Sequence, residues 1–142
     1  MKVLAVDYGS RRVGLAVGDS HTGVATPLPL IAASDRRRVL DAIAARIAEF
    51  EVGRVVLGYP RSLDGSAGPA CAAVERFAAA LRRRCGLSVE MVDEALTSFE
   101  AEEMGKEVQP NFRKRKAFLD SVAAQVILQE YFSHMHSADG GR

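Results

Sequence analysis

Acidic residues stand at three separated places along the chain where they could act together in catalysis. Asp7 and the pair Asp93-Glu94 each end an apolar run, and Asp120 opens an alanine-rich apolar segment. Burying a carboxylate at the end of a strand is costly unless a positive charge compensates it. Carboxylates that are brought together repel one another, and a divalent cation held by their oxygens removes that repulsion. The pattern therefore predicts metal-dependent phosphoryl transfer, with nuclease chemistry foremost.

The size and composition of the chain are those of one globular domain. Its 142 residues are 48% hydrophobic and 26% charged, which suits a single core. No apolar run reaches the roughly 18 residues that predict a membrane span, and the N-terminus has no signal-peptide layout. Cys71 and Cys85 fall on one predicted helix, too far apart for a disulfide, which favours a cytoplasmic location. We expect one domain over residues 1–132 and a disordered tail over 133–142.

Basic residues are clustered, although the net charge is only +1. The cluster formed by Arg113, Lys114, Arg115 and Lys116 directly precedes Asp120, where a basic loop can hold a phosphate backbone. We expect this cluster, with Arg11 and Arg12, to bind nucleic acid. Two further arginine clusters, at 36–38 and 82–84, fall on predicted helices, where a solvated helix face is favoured.

The first part of the chain has the pattern of three strands. Residues 2–7 are apolar without alternation, which is typical of a central strand buried on both faces. Residues 12–18 alternate between larger apolar and small residues. Residues 23–31 contain Pro27 and Pro29, which confine that strand to an edge or a bulge. Three strands in quick succession predict an antiparallel meander.

Helices and strands alternate after this meander. The predicted elements are a helix capped by Ser34 and ending near Phe50, a strand at 54–58, a helix at 69–85 stopped by Gly86, a strand at 88–93, a short helix opened by a Thr97–Glu100 capping box, and a last helix at 117–132. This order predicts an α/β fold with a mixed five-stranded sheet and helices on both faces.

The carboxyl ends of the parallel strands are the place where sites gather in such sheets. Asp7 and the Asp93-Glu94 pair lie at strand ends of this kind. Because side chains alternate along a strand, Asp93 and Glu94 point to opposite faces. Only one of the two can easily join Asp7.

Several short motifs in fixed order carry a family resemblance. They are Asp7-x-Gly9-x-x-Arg12-x-Gly14, Val56-Leu57-Gly58-Tyr59-Pro60, Asp64-Gly65, Asp93-Glu94 with Leu96-Thr97-Ser98, and Asp120-x-x-Ala123-Ala124. Over about residues 2–132 the chain resembles the YqgF/RuvX family of bacterial ribonuclease H-like proteins, which is related to Holliday-junction resolvases. The resemblance implies a ribonuclease H-like fold and a nuclease that matures the 5′ end of 16S ribosomal RNA precursors. It also implies Asp7, Glu94 and Asp120 as metal-binding catalytic carboxylates, with Asp93 as a further metal ligand.

Two positions depart from the family pattern. Ala95 stands where family members usually carry an arginine, and Tyr59 stands where they usually carry a leucine. The missing arginine leaves open how the site orders its carboxylates or contacts a phosphate. Arg12 and the 113–116 cluster are the candidates to replace it.

The implied cofactor is Mg²⁺ or Mn²⁺, because three carboxylates can hold one or two such ions through oxygen ligands. In a two-metal site, one ion activates the attacking water and the other neutralises the leaving oxygen. Whether one or two ions bind stays open, as does endonuclease against exonuclease action.

Other functions fit the same features. A Holliday-junction resolvase or another DNA nuclease would use the same carboxylates, although RNA is favoured as the substrate. Symmetric cleavage of a junction needs two active sites and therefore a homodimer. A non-catalytic RNA-binding factor in ribosome assembly would fit Ala95. An ATP-binding protein of the actin-like class is disfavoured, because that fold clasps its nucleotide between two such domains.

Overall fold

The computed structural model of this chain describes residues 1–9, 11–60, 68–93 and 122–135. Several sequence predictions lie outside these residues: Asp64-Gly65, Glu94, Ala95, the Thr97–Glu100 helix, the 113–116 cluster, Asp120, and the tail beyond residue 135. The start predicted for the last helix, at residue 117, lies outside them as well.

Within the described residues, five strands form a mixed sheet in the order β3-β2-β1-β4-β5. They are β1 (Lys2–Tyr8), β2 (Arg12–Asp19), β3 (Ala25–Ala32), β4 (Val52–Tyr59) and β5 (Val89–Asp93). The β1–β2 and β2–β3 pairs are antiparallel, whereas β4 runs parallel to both β1 and β5. The predicted meander followed by parallel strands is confirmed.

The sequences of β1 and β3 explain why one strand is central and the other lies at an edge. β1 is central because it is apolar on both faces, and residues 3–6 have no solvent exposure. β3 is an edge strand, as predicted from Pro27 and Pro29, which are exposed. A proline cannot donate a ladder hydrogen bond, so an edge is where it is tolerated.

Helices cover both faces of the sheet, as predicted. On one face, α1 (Arg36–Phe50) and α2 (Pro69–Cys85) pack on Leu4, Val6 and Leu57. On the other face, helical residues 122–135 pack on the alternate positions of the same strands. Among the described helices, none has both the length and the apolar character needed to cross a membrane.

Two helix boundaries differ from the sequence prediction. Asp35 rather than Ser34 caps α1, and its Oδ1 accepts a 2.9 Å hydrogen bond from the backbone N–H of Arg38. Serine and aspartate are both good caps, so composition could not separate two adjacent candidates. The last helix continues to residue 135, so residues 133–135, which we assigned to the disordered tail, are helical. His134 lies 3.4 Å from Glu130 in that final turn.

The end of α1 carries a strained residue. Glu51 adopts the left-handed conformation, with φ 53° and ψ 49°, and its N–H bonds back to Ala48 and Ile47. Because a Cβ is unfavourable there, we expect Glu51→Gly to raise the free energy of unfolding by about 0.5–1 kcal/mol. Urea denaturation measures the change, with Glu51→Ala as a control that should show no gain. A glycine variant that is less stable than wild type would contradict this assignment of strain.

Candidate active site

Asp7 lies at the edge of the sheet where β1, β4 and β5 all end. It is opposite Gly14 of β2. Val6 is opposite Leu57 of β4, so Gly58 is the next residue beside Asp7 on the other flank. Neither glycine has a side chain, and the Asp7 carboxylate is half-buried between them. A half-buried carboxylate with small neighbours on both flanks is suited to binding a cation.

The alternation of side chains along β1 places Asp7 on the face covered by the last helix. Val3 and Ala5 precede Asp7 at two-residue spacing, and both belong to the cluster that packs against residues 122–135. Side chains two residues apart on a strand share a face. Asp7 therefore lies on the same side of the sheet as that helix.

Asp93 lies on the opposite face. Val89 and Met91 of β5 belong to the core beneath α1 and α2, whereas Val92 belongs to the cluster beneath the last helix. Asp93 follows the first set, and it is opposite Tyr59 of β4. The structure thus brings Asp7 and Asp93 to the same edge but not to the same face.

The turn after Asp7 needs a glycine at position 9. The Gly9 N–H donates a 3.1 Å hydrogen bond to the carbonyl oxygen of Arg12, and a Cβ on Gly9 would lie 2.5 Å from that same oxygen. No side chain fits at such a distance. The tight turn holds the half-buried Arg12 at the start of β2, with the exposed Arg11 before it. Both predicted phosphate-binding arginines therefore lie at the edge that carries Asp7.

Tyr8 fastens the end of β1 to α2. Its ring stacks on that of Phe77, with centroids 4.0 Å apart and an interplanar angle of 11°. Phe77 is fully buried in the core beneath α2. Because Tyr8 directly follows Asp7, stacking on one face of the sheet restrains the backbone that presents the carboxylate on the other.

Tyr59, at the position where the sequence resemblance implies a leucine, also bonds to α2. Its hydroxyl donates a 2.8 Å hydrogen bond to Glu75 Oε1. This hydrogen bond raises the pKa of Tyr59 to about 12, with smaller contributions from lost hydration and from Cys71. The protonated phenol is therefore the form that the folded chain favours.

A pH dependence follows from this raised pKa. The stabilisation from Tyr59 should be fully present below pH ~10, the ordinary pKa of tyrosine, and should be lost as the pH rises through about 12. Subtracting the ultraviolet titration curve of Tyr59→Phe from that of the wild type isolates the ionisation of the Tyr59 phenol. We expect Glu75→Gln to lower its pKa towards the ordinary value. An unchanged titration in Glu75→Gln would contradict the role of the hydrogen bond.

The predicted metal ligands are only partly within the described chain. Among residues 1–9, 11–60, 68–93 and 122–135, no group of three or more His, Cys, Asp or Glu side chains is placed to hold a metal ion. Asp7 and Asp93 are the predicted ligands found there, and Glu94 and Asp120 fall beyond these ranges.

Comparison with known sequences decides the family. A family model described as "RuvX: Holliday junction resolvase" matches residues 1–134. The chain belongs to the RuvX family. A relative from Chloroflexus aggregans, named "Putative pre-16S rRNA nuclease", is 42% identical over 129 residues, which are 91% of each chain. A relative of the same name from Opitutus terrae is 40% identical over 132 residues, 92% of this chain and 90% of that one. The family resemblance predicted from the motifs is confirmed, and the predicted nuclease class agrees with these names.

Two solved structures share the fold of this RuvX-family chain. Thermus thermophilus RuvC in complex with a Holliday junction substrate matches 96% of each chain, with a TM-score of 0.58 at 15% identity. The fowlpox virus Holliday junction resolvase matches 94% of this chain and 99% of that chain, with a TM-score of 0.53 at 14% identity. Likeness at such identities concerns the fold alone. The ribonuclease H-like fold predicted from the sequence is confirmed.

Proposed function

We propose that this chain is a divalent-metal-dependent nuclease that hydrolyses phosphodiester bonds of ribosomal RNA precursors, in 5′-end maturation of 16S rRNA. The observation that carries the proposal is the place of Asp7. It ends the central strand, glycines flank it, and it lies on the face that residues 122–135 cover. The names of the RuvX relatives supply the substrate class. Two free cysteines suit the cytoplasm, where such a precursor would be processed.

Glu94 and Asp120 are the proposed partners of Asp7. Glu94 directly follows Asp93, so continued alternation would turn it to the face of Asp7. Asp120 is four residues before Ala124 in the sequence, a spacing that would place the two on one face of a continuing helix, and Ala124 is fully buried in the cluster that contains Ala5. Both additions would complete a three-carboxylate set on one face. Asp93 is the weakest candidate ligand, because it lies on the opposite face.

The chemistry of this donor set suits Mg²⁺ or Mn²⁺, since carboxylate oxygens are the ligands that both ions prefer. Ions held there would activate water for attack and neutralise charge on the leaving oxygen. Arg11 and Arg12, at the same edge, would bind the phosphates that flank the cleaved bond. Ala95 stands where the family resemblance implies an arginine. Among the described cations of β1 and β2, Arg12 lies nearest to Asp7 and would take over the contact with phosphate.

One cleavage assay tests this proposal. Labelled 16S precursor RNA, single-stranded RNA, single-stranded DNA and a four-way DNA junction are incubated with Mg²⁺ or Mn²⁺, and with chelator. We expect precursor RNA to be cut best and chelator to stop cleavage. Preference for the junction would establish the resolvase alternative, which the description of the family favours. Tight RNA binding without cleavage under any condition would identify an assembly factor.

A further inference from the structure

A groove of about 640 Å³ lies between α1 and α2, on the face of the sheet away from Asp7. Four arginines, two small or apolar residues and one aspartate line it: Arg36, Arg37, Arg83 and Arg84, with Leu40, Ala80 and Asp41. We call it the arginine groove. The arginines come from two clusters that are far apart in sequence, and the packing of the two helices brings them together.

Most of these arginines have no protein partner within the described part of the chain. Arg84 contacts Asp41, with Nη2 and Oδ1 3.3 Å apart. The side chains of Arg36, Arg37 and Arg83 form no hydrogen bond or ion pair with any described residue, and all three residues are exposed. The groove therefore holds a surplus of positive charge that the described fold does not neutralise.

The other members of the same two clusters behave differently. Arg38 pairs with Asp35 at 3.4 Å, and Arg82 donates a 2.8 Å hydrogen bond to the carbonyl oxygen of Val89. Neither lines the groove. Arg84 is paired with Asp41 inside the groove, whereas the other two arginines with internal partners, Arg38 and Arg82, lie outside it.

The position of Arg36 and Arg37 is electrostatically unfavourable in the free protein. They occupy the first turn of α1, where the capping residue Asp35 is the acidic group and is already paired with Arg38. Unpaired N–H groups make this end of a helix positive, so it favours anions and disfavours cations. Arg83 and Arg84, across the groove, add repulsion between like charges. A bound anion would relieve both effects.

We propose that the arginine groove binds the phosphate backbone of double-helical nucleic acid on the α1–α2 face of the sheet. Arg36 also lines the cavity that contains Gly9 and Pro60, so the groove reaches the carboxylate edge there. Arginine forks match phosphate oxygens and can bind them through two hydrogen bonds. None of the described lining residues is aromatic, so the groove lacks the stacking platform typical of single-strand sites. Contact with the phosphate backbone of a duplex needs only positive charges, and the groove arginines supply them. This binding goes beyond the proposed cleavage reaction and does not need its chemistry.

Anisotropy measurements on short RNA and DNA duplexes, in chelator and over a range of salt concentrations, test the proposal. The groove variant is Arg36→Gln with Arg83→Gln. The matched control is Arg38→Gln with Arg76→Gln, which removes the same charge from the same two helices at exposed positions outside the groove. A third protein, Arg36→Lys with Arg83→Lys, keeps the charge. Thermal unfolding of every variant checks the fold.

We expect the groove variant to bind duplex about tenfold more weakly at about 0.1 M salt, with the slope of log affinity against log salt reduced by about 2. The control should stay within about twofold, and the lysine variant should keep the wild-type slope. An equal loss of affinity for RNA and DNA duplexes in the groove variant would indicate contact with the phosphate backbone alone. Wild-type binding by the groove variant, or an equal loss in the control, would overturn the proposal. So would poly-glutamate competing as well as duplex, which would indicate an acidic protein partner.

Chelator separates this test from the proposed nuclease activity. An Asp7→Asn variant should bind duplex through the groove as wild type does, whether or not cleavage is ever detected. Clearly tighter duplex binding by Asp7→Asn would place the contact at the carboxylate edge, where the lost carboxylate no longer repels phosphate, and would contradict the groove.

Discussion

An Asp7→Asn variant is expected to lose cleavage of its preferred substrate by about a thousandfold or more while keeping the wild-type fold. Asparagine preserves the size of the side chain and the pairing of β1 with Gly14. It removes the negative charge that a divalent cation requires, and groups that hold one metal centre act as a unit. Single-turnover cleavage with Mn²⁺ and Mg²⁺ measures the loss. Electron paramagnetic resonance should show weaker Mn²⁺ binding as a second readout.

Two further aspartates serve as controls for this loss. Asp19 ends β2 at the opposite edge of the sheet, opposite Lys2, so Asp19→Asn should change cleavage by no more than about twofold. Asp93→Asn removes a carboxylate from the same edge of the sheet as Asp7, but on the opposite face. We expect a loss of at most about tenfold, since a group that orders the site only indirectly costs less than a metal ligand. Full metal-dependent cleavage by Asp7→Asn would refute the site.

A Phe77→Ala variant is expected to lower the free energy of unfolding by about 3–5 kcal/mol. Phe77 is the largest fully buried side chain among the described residues, and its removal leaves a cavity beneath α2. The stacked Tyr8 ring loses its partner as well, which adds about 0.5–1.5 kcal/mol to the expected cost. Since a domain of this size is stable by only about 5–15 kcal/mol, the variant should be marginal. Urea denaturation measures the change.

A leucine at this position separates packing from stacking. Phe77→Leu fills most of the cavity but cannot stack, so it should lose less stability than Phe77→Ala. Both variants remove the ring that Tyr8 stacks on, so the end of β1 that carries Asp7 loses this restraint. We therefore expect Phe77→Leu to reduce cleavage although it remains folded. A loss below about 1 kcal/mol in Phe77→Ala would show that the Tyr8 stack is not a restraint.

Local sequence rules were sufficient for most of the sheet. The prolines of β3 predicted an edge strand, and Gly86 predicted the end of α2, where it adopts φ 68°. Those features depend on one residue and its own backbone. The choice between Ser34 and Asp35 as cap depends on the chain direction entering α1, which composition does not contain. The last helix reaches residue 135 because tertiary packing of Tyr131 and Phe132 holds its final turns.

The candidate site was predictable where strand alternation decides the outcome. Alternation predicted that only one of Asp93 and Glu94 can share the face of Asp7. Asp93 lies on the other face, and Glu94 lies outside the described residues. The hydrogen bond from Tyr59 to Glu75 was not predicted, because it depends on how α2 lies against β4. The arginine groove was missed for the same reason: each cluster taken alone fits a solvated helix face. Contacts between distant elements carry no periodic signal in the sequence.

The last helix has a consequence for the chain during its own translation. Residues 122–135 emerge from the ribosome after the rest of the described fold, and they provide the described cover for the face that holds Val3, Ala5 and Val56. A nascent chain can pair its strands and seat α1 and α2 earlier, yet that apolar face stays open to water. Asp120 would arrive with the same late segment. If Asp120 belongs to the proposed site, a growing polypeptide would carry no assembled site beside the ribosomal RNA that surrounds it. A prematurely terminated chain should aggregate, because its apolar face stays exposed.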